Sequence, residues 1–239
     1  MSLRYLPIVV LLLGSSAGPV RAQWAGTGVG TCEPSSAETI LHGNNVKARI
    51  LNNGGLFWNS GPGVYEVPAG SGLSPLFAAS LWIGGRVNGE LRVAGSEYGP
   101  WEFWSGTVGQ ATDGGDCKDA DRIYRVAPRD IRALDQGLPP SAGVLSWPWE
   151  IGAPVVDGDG VFDNYDLANG DRPAIYGNET VYWVMNDVGN AHRRFDTAPL
   201  GLEVHGLAFA AASDDPVIDN ATFYHYRFIN RDTVAIKDA

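Results

Sequence analysis

Two segments near the C-terminal end constrain the fold more than any other part of the chain. Residues 202–212 (LEVHGLAFAAA) and 222–230 (TFYHYRFIN) are rich in β-branched, aromatic and small apolar residues, and polar residues 213–220 separate them. Such segments on either side of a short polar connection predict two antiparallel strands of one sheet. Strands spaced in this way, without helices between them, predict a mainly β protein built as an antiparallel β-sandwich.

Other segments fit the same class of fold. Residues 76–83 (LFAASLWI) form a continuous apolar run, which predicts a strand buried on both faces, and residues 90–94 (ELRVA) would return as its hairpin partner. Residues 180–185 (TVYWVM) predict another strand, whereas only residues 128–134 (PRDIRAL) have the pattern of a short helix, with Pro128 in its first turn. Long loops rich in Gly, Pro and Trp connect these elements.

The N-terminal end has the pattern of a secretory signal. Arg4 supplies the positive charge, residues 6–13 (LPIVVLLL) the apolar core, and residues 20–22 (VRA) a small-residue cleavage site. This core is shorter than the ~20 apolar residues that a membrane span needs. The sequence therefore predicts a signal peptide at residues 1–22, a mature chain without a membrane span, and one β-sandwich-like module at residues 23–239.

Export changes the interpretation of the two cysteines and of the charge. In an oxidising compartment Cys32 and Cys117 favour a disulfide over a metal pair. Without Arg4 and Arg21, 15 basic residues face 27 acidic ones, a formal charge of −12. A chain this acidic is a poor partner for nucleic acid or for anionic membrane surfaces.

The acidic stretch at residues 155–171 (VVDGDGVFDNYDLANGD) is the strongest candidate for a metal site. Carboxylates that alternate with glycines suit a hard cation such as Ca²⁺, although the first position of a twelve-residue calcium loop holds Val155 instead of an acid. The pattern leaves two alternatives open, a calcium-stiffened loop and an ordinary acidic turn. In the calcium register the ligands would be Asp157, Asp159, the carbonyl of Val161, Asp163 and Asp166.

Aromatic and ionisable residues suggest further sites. Trp101, Trp104, Trp147 and Trp149 lie in loop-like stretches, where exposed rings could stack on a glycan and buried ones would fill the core. Glu203 and His205 share one face of a strand, with His225 on the next strand as a further candidate ligand, which suits either a metal site or ordinary polar pairing. His192 is expected at the surface. A pair drawn from five glutamates could serve glycoside hydrolysis, but the sequence does not place two at one cleft; these are Glu66, Glu97, Glu102, Glu150 and Glu203.

Several segments, in order along nearly the whole mature chain, resemble one family of exported proteins. They read NNVKARILNNGGLFW, YEVPAGSG followed by LFAASLWIGG, DRIYRV, DGDGVFD, GDRPAIYGNETVYWVMND, PLGLEVHGLAFA and NATFYHYRFINR. The chain resembles the N-terminal region of secreted proteins of Bacteroidetes and related bacteria, which usually end in a sorting domain for type IX secretion. The resemblance implies export and assigns no activity to any residue. It also implies further C-terminal domains beyond Ala239, so the module at residues 23–239 is expected to be truncated at its C-terminal end.

Together these observations predict a secreted or cell-surface structural or adhesive module with a calcium-stabilised acidic loop and a glycan or protein partner. The alternative is a carbohydrate-binding or glycoside-cleaving domain that uses the loop tryptophans and a glutamate pair.

Overall fold

The computed structural model describes residues 29–99, 102–112, 117–161 and 164–239, so the predicted signal peptide lies outside the described residues. Within these ranges the chain is mainly β, as predicted. The strands are β1 (Glu38–Leu41), β2 (Lys47–Leu51), β3 (Gly55–Leu56), β4 (Tyr65–Glu66), β5 (Ala79–Ser80), β6 (Trp82–Val87), β7 (Glu90–Gly95), β8 (Trp104–Ser105), β9 (Tyr124–Val126), β10 (Val155–Val156), β11 (Arg172–Pro173), β12 (Glu179–Asn186), β13 (Leu202–Ala210) and β14 (Thr222–Asn230).

Helices are short and lie in the connections. They are α1 (Val108–Thr112), α2 (Pro128–Asp135), α3 (Ala142–Leu145) and α4 (Pro216–Asp219), with 3₁₀ turns at Trp149–Ile151 and Leu167–Asn169. The predicted helix at residues 128–134 is confirmed as α2, which begins at Pro128. The Asp130 carboxylate accepts the Ala127 N–H and so caps the first turn of this helix.

The central sheet is antiparallel and has the order β14-β13-β12-β8, with β9 also paired to β12. The predicted pairing of the last two segments is confirmed, since β13 and β14 pair along their full length from Leu202–Asn230 to Ala210–Thr222. Every residue of β12 is buried, so this strand is covered on both faces.

A second antiparallel sheet, in the order β1-β2-β3-β5 with β4 also on β2, packs against one face of the central sheet. The side chains between the two sheets form the main core and include Leu41, Ile50 and Phe57 on one side and Trp183 and Met185 on the other. This arrangement is the predicted β-sandwich. The hairpin of β6 and β7 closes one end of the core with Val87 and Ala94.

The other face of the central sheet is covered by the connections between β9 and β12. Trp147 and Ala153 from this layer pack against Tyr182, Val184 and Leu207 of the sheet. The short hairpin of β10 and β11 extends from this layer and holds the acidic stretch between its strands. The loops thus form a third layer, which explains why β12 is apolar on both faces.

The prediction of one doubly buried strand at residues 76–83 is wrong. The run divides into the short edge strand β5 and the start of β6. Among the described strands, β5 pairs with β3 alone, through residues Gly55–Leu56. Phe77 and Trp82 are each about half exposed. The hairpin with residues 90–94 is present but begins at Trp82 and turns through Asn88 and Gly89, both at positive φ.

Candidate functional site

The acidic stretch folds into a loop between β10 and β11, and the pairing of these strands brings its two ends together. Asp157 and Asp159 follow β10 directly, and Asp171 immediately precedes β11. Each of the three side chains offers a carboxylate oxygen, and these three oxygens lie within 4.8 Å of one another. Two oxygens on opposite sides of a calcium ion, each at about 2.3–2.6 Å from it, would lie at a similar separation. The donor set therefore fits a hard cation.

Backbone N–H groups orient these carboxylates. Asp171 is buried, and its two oxygens accept the N–H groups of Gly158 at 2.9 Å and Asp166 at 2.7 Å, which lowers the pKa of this carboxyl. Asp157 Oδ1 accepts the N–H of Gly160 at 2.8 Å. A Cβ at Gly158 would lie 2.4 Å from the Gly170 carbonyl carbon, so only glycine allows this close approach of the two ends of the loop.

The structure brings together only part of the predicted ligand set. Asp157 and Asp159 lie in the cluster, whereas Asp166 instead caps the following 3₁₀ turn by accepting the Ala168 N–H at 2.8 Å. Val161 is exposed and donates its N–H to Asp159 Oδ1, and Asp163 lies outside the described residues. Sequence reasoning missed Asp171, because its proximity depends on the pairing of β10 with β11 and not on spacing within a twelve-residue loop.

A buried polar network occupies the outer face of the central sheet. Glu203 and His205 share this face, as predicted, and Glu203 Oε1 accepts the His205 Nε2–H at 2.8 Å. His205 Nδ1 lies 2.6 Å from the Tyr182 hydroxyl and 3.0 Å from an Arg227 nitrogen. His225 is exposed and lies opposite Leu207, so it does not join the pair as a ligand.

Glu203 is the negative centre of this network. Its Oε1 also accepts from Arg231 at 2.6 Å, and its Oε2 accepts the Val108 N–H at 3.1 Å. Burial alone would raise the pKa of Glu203, but the hydrogen bonds from His205 and Arg231 outweigh it and hold the pKa at about 2. Burial lowers the pKa of His205 and raises that of the Tyr182 hydroxyl.

The order Tyr182–His205–Glu203 resembles a proton relay but does not activate a nucleophile. Because Nε2 donates to Glu203, the neutral ring accepts at Nδ1, and the Tyr182 O–H is its donor. The hydroxyl is buried and its pKa is raised, so it holds its proton. This network therefore has a structural role and holds the Trp149–Ile151 turn against the sheet. Gly152, directly after that turn, lies close to the His205 ring.

A second buried pair corrects the expectation that His192 lies at the surface. The His192 side chain is buried, with Nδ1 2.9 Å from the Val93 carbonyl oxygen and Nε2 2.8 Å from that of Asp187. Both ring nitrogens therefore face backbone carbonyl oxygens, which fixes the position of the ring between β7 and the end of β12. The Asp187 carboxylate lies 3.9 Å from His192 Nε2 and accepts the N–H groups of Leu200 and Leu202, and its burial raises its pKa to about 6.

Two of the four tryptophans proposed for glycan stacking cannot perform that role. Trp104 and Trp147 are each 2% exposed and fill the core beneath loops, which is the second of the two alternatives that the sequence left open. Trp149 is partly buried and stacks on Tyr165 at a centroid distance of 6.4 Å, and Trp101 lies outside the described residues. Among the described residues, more exposed aromatic side chains such as Trp82 and Tyr98 lie elsewhere in the chain.

Two of the candidate glutamates have structural roles. Glu203 anchors the network described above. Glu102 is fully buried and accepts the N–H groups of Gly95, Arg194 and Phe195, which fixes the end of β7 against the segment after β12.

The predicted disulfide between Cys32 and Cys117 is present. It packs in a small apolar cluster with Trp104, Val108 and Val188. The N–H of Cys32 donates to the Gly189 carbonyl, so the N-terminal segment is held at the end of β12 by both a covalent bond and hydrogen bonds.

Comparison with protein-family models, with curated proteins and with solved structures found no match to this chain. Within the described part of the chain, none of the helices has the length and apolar character needed to cross a bilayer.

Proposed function

We propose that this chain is an exported, extracellular module with a structural or adhesive role, and that its acidic loop binds Ca²⁺. The observation that carries the first part is the Cys32–Cys117 disulfide. Disulfides form and persist in oxidising compartments and are rare in reducing ones. The bond agrees with the signal-like pattern of residues 1–22, and it joins segments that are 85 residues apart.

The use of the buried ionisable groups supports a structural role. Glu102, Asp187 and Glu203 are buried, and each accepts backbone N–H groups from segments that are distant in sequence or follow a loop. A catalytic carboxylate has to reach a substrate, whereas these carboxylates are already occupied by protein donors. The rigid frame that results suits a module for display or adhesion.

The calcium part of the proposal rests on Asp157, Asp159 and Asp171. Three carboxylates within 4.8 Å repel one another, and a bound divalent cation would remove that repulsion and stabilise the folded loop. Backbone carbonyls and water would complete the six to eight oxygen ligands that Ca²⁺ takes. With three acidic side chains, we expect weak binding of ~10⁻⁴–10⁻³ M, as in extracellular modules.

A thermal melt of residues 23–239 in millimolar Ca²⁺, Mg²⁺ or chelator tests the calcium site. Ca²⁺ should raise the midpoint above Mg²⁺, by up to about 2.7 kcal/mol of stability at 100 times the dissociation constant. Asp159→Asn keeps the side-chain shape and should lose most of this shift, while Asp214→Asn, an exposed control in another loop, should keep it. If Ca²⁺ and Mg²⁺ raise the melting midpoint equally, or if Asp159→Asn keeps the full Ca²⁺-dependent rise, the calcium site is refuted and the loop is an ordinary acidic turn.

Expression of residues 1–239 in a bacterial host tests export separately. We expect the protein outside the cytoplasm, with an N-terminus at Gln23. Retention of residues 1–22 on a cytoplasmic product would refute the export part of the proposal without bearing on the calcium site.

A further inference from the structure

A cleft of about 300 Å³ opens at the edge of the second sheet, where β2, β3 and β5 meet the start of β6. Its size lies at the lower end of the range of ~300–1,000 Å³ typical of small-molecule sites. The side chains that define its chemistry are Arg49, Asn53, Trp58, Trp82, Glu97 and Tyr98. The acidic loop and the buried networks use other residues, so this cleft is a separate feature of the molecule.

Three aromatic rings line this cleft and remain open to solvent. Trp82 and Tyr98 are each 51% exposed, and Trp58 is partly exposed. The Trp58 and Tyr98 rings lie 5.9 Å apart and are tilted by 49°, so they form two adjoining walls and not a closed stack. Large aromatic side chains are usually buried, and a group of exposed ones around a concavity indicates a binding surface.

The aromatic walls are held in place by the protein itself. The Trp82 Nε1–H donates to Ser80 Oγ at 2.9 Å and to the Ser96 carbonyl at 3.0 Å, and the ring packs edge-on against Phe195. Tyr98 has a φ of 53°, in the left-handed region that bulky residues rarely adopt, and its ring also contacts Phe77. Fixed rings lose little conformational freedom on binding, which favours affinity.

Polar groups of both signs accompany the rings. The Arg49 guanidinium donates to the Trp58 carbonyl and pairs with Glu38, so it is held rigid at the wall. Asn53 Oδ1 accepts the Gly55 N–H at 3.1 Å, and its amide nitrogen has no partner among the described residues. Glu97 pairs with Arg194 and adds carboxylate acceptors.

This combination indicates the class of ligand. One cation and one anion at the cleft give no excess charge, which disfavours a phosphate or a strongly charged peptide. Flat apolar surfaces bordered by amide, guanidinium and carboxylate groups match a pyranose ring, whose C–H face is apolar and whose hydroxyls both donate and accept hydrogen bonds. We propose that this cleft is a saccharide-binding site, in which Trp58, Trp82 and Tyr98 contact the sugar faces and Asn53, Arg49 and Glu97 bind the hydroxyls.

The proposal stands independently of export and of calcium, and its test uses residues 23–239 with the acidic loop intact. Tryptophan fluorescence and isothermal titration would be measured with glucose, xylose, mannose and N-acetylglucosamine and with short cello-, xylo-, manno- and chito-oligosaccharides. At least one series should quench fluorescence saturably and release or absorb heat with the same midpoint.

Variants assign the binding to this cleft. Tyr98→Asn removes the ring with a residue that tolerates positive φ, and Trp82→Leu removes the second wall; each should weaken binding at least about tenfold, which is 1.4 kcal/mol. Tyr176→Ala, which removes an exposed ring outside the cleft, should leave the affinity unchanged. Circular dichroism melts exclude variants that do not fold.

Three results would overturn the proposal. One is the absence of any saturable signal across this saccharide panel at millimolar concentration. The second is binding that persists unchanged in both Tyr98→Asn and Trp82→Leu. The third is saturable binding of a free aromatic amino acid or an apolar peptide at the cleft in the absence of saccharide binding, which would assign this surface to a protein partner.

Discussion

Replacing Glu203 by Gln should destabilise the folded protein, and the loss should depend on pH. Glu203 accepts hydrogen bonds through both oxygens, from His205 and Arg231 at Oε1 and from the Val108 N–H at Oε2. A Gln side chain has the same shape but replaces one acceptor with an N–H₂ group. One of these buried donors would then face another donor, and Arg231 would lose its counter-charge.

The magnitude follows from the pKa of this carboxyl. The folded protein holds the pKa of Glu203 at about 2, against the ordinary value of 4.5 for a glutamate, and the side chain is only 3% exposed. At 1.36 kcal/mol per unit of pKa, the ionised form contributes about 3 kcal/mol to the free energy of unfolding. Because the folded-state pKa is the lower one, this contribution is complete above about pH 5 and is lost as the pH falls through 4.5 towards 2. About 2 kcal/mol of it should be gone at pH 3.

Urea unfolding of residues 23–239 at pH 7 and pH 3 measures this effect. At pH 7 Glu203→Gln should be about 3 kcal/mol less stable than the unchanged protein, and the difference should shrink to about 1 kcal/mol at pH 3. Glu33→Gln, an exposed control, should change stability by less than about 0.5 kcal/mol at either pH. A loss for Glu203→Gln that is equal at both pH values would show that the new donor–donor contact, and not the lost charge, causes the destabilisation, and would refute the reasoning.

Two further predictions concern the disulfide and a core glycine. Replacing Cys32 and Cys117 together by Ala should lower the free energy of unfolding by about 4–5 kcal/mol in the chain-entropy model, because the bond joins residues that are 85 positions apart. A loss below about 1 kcal/mol in urea unfolding would contradict this prediction. Gly206→Ala should lower the free energy of unfolding by about 1–3 kcal/mol or more, because its Cβ would lie 2.2 Å from the Trp183 ring. The control Gly84→Ala, whose Cβ would have its nearest contacts at 3.5 Å, should lower it by less than about 1 kcal/mol. Similar losses for both variants would refute the close packing of Trp183 on Gly206.

The strands were predictable where a local pattern decides them. β12, β13, β14 and α2 lie close to the predicted positions, because composition, alternation and a proline in the first turn act within a few residues. The run at residues 76–83 failed for the opposite reason. Its apolar residues are compatible with a buried strand, but which neighbour covers an edge strand depends on distant parts of the chain.

The candidate sites show the same limit. The exposure of an aromatic side chain is a tertiary property, so loop position did not identify Trp104 and Trp147 as buried, and the pattern of a buried strand did not identify Trp82 as exposed. The saccharide cleft combines residues from position 49 to position 99, and no motif in the sequence marks them as one surface. Asp171 was likewise visible as an acidic residue but not as a neighbour of Asp157.

The buried and half-buried carboxylates of this chain follow from its long loops. Irregular segments leave backbone N–H groups without strand partners, and buried N–H groups need an acceptor. The Asp121 carboxylate accepts the N–H groups of Ser36 and Ala37, and that of Asp187 accepts those of Leu200 and Leu202. Each carboxylate therefore fixes a loop segment whose N–H groups are not paired with a neighbouring strand. The acidic composition is in this sense a structural requirement of a β-sandwich with long connections. The acidic loop differs, because Asp157, Asp159 and Asp171 accept backbone N–H groups and also converge on one another. A carboxylate can hold a loop without lying close to other carboxylates. The thermal melts with Ca²⁺ and Mg²⁺ therefore test a property of the acidic loop that Asp121 and Asp187 do not share.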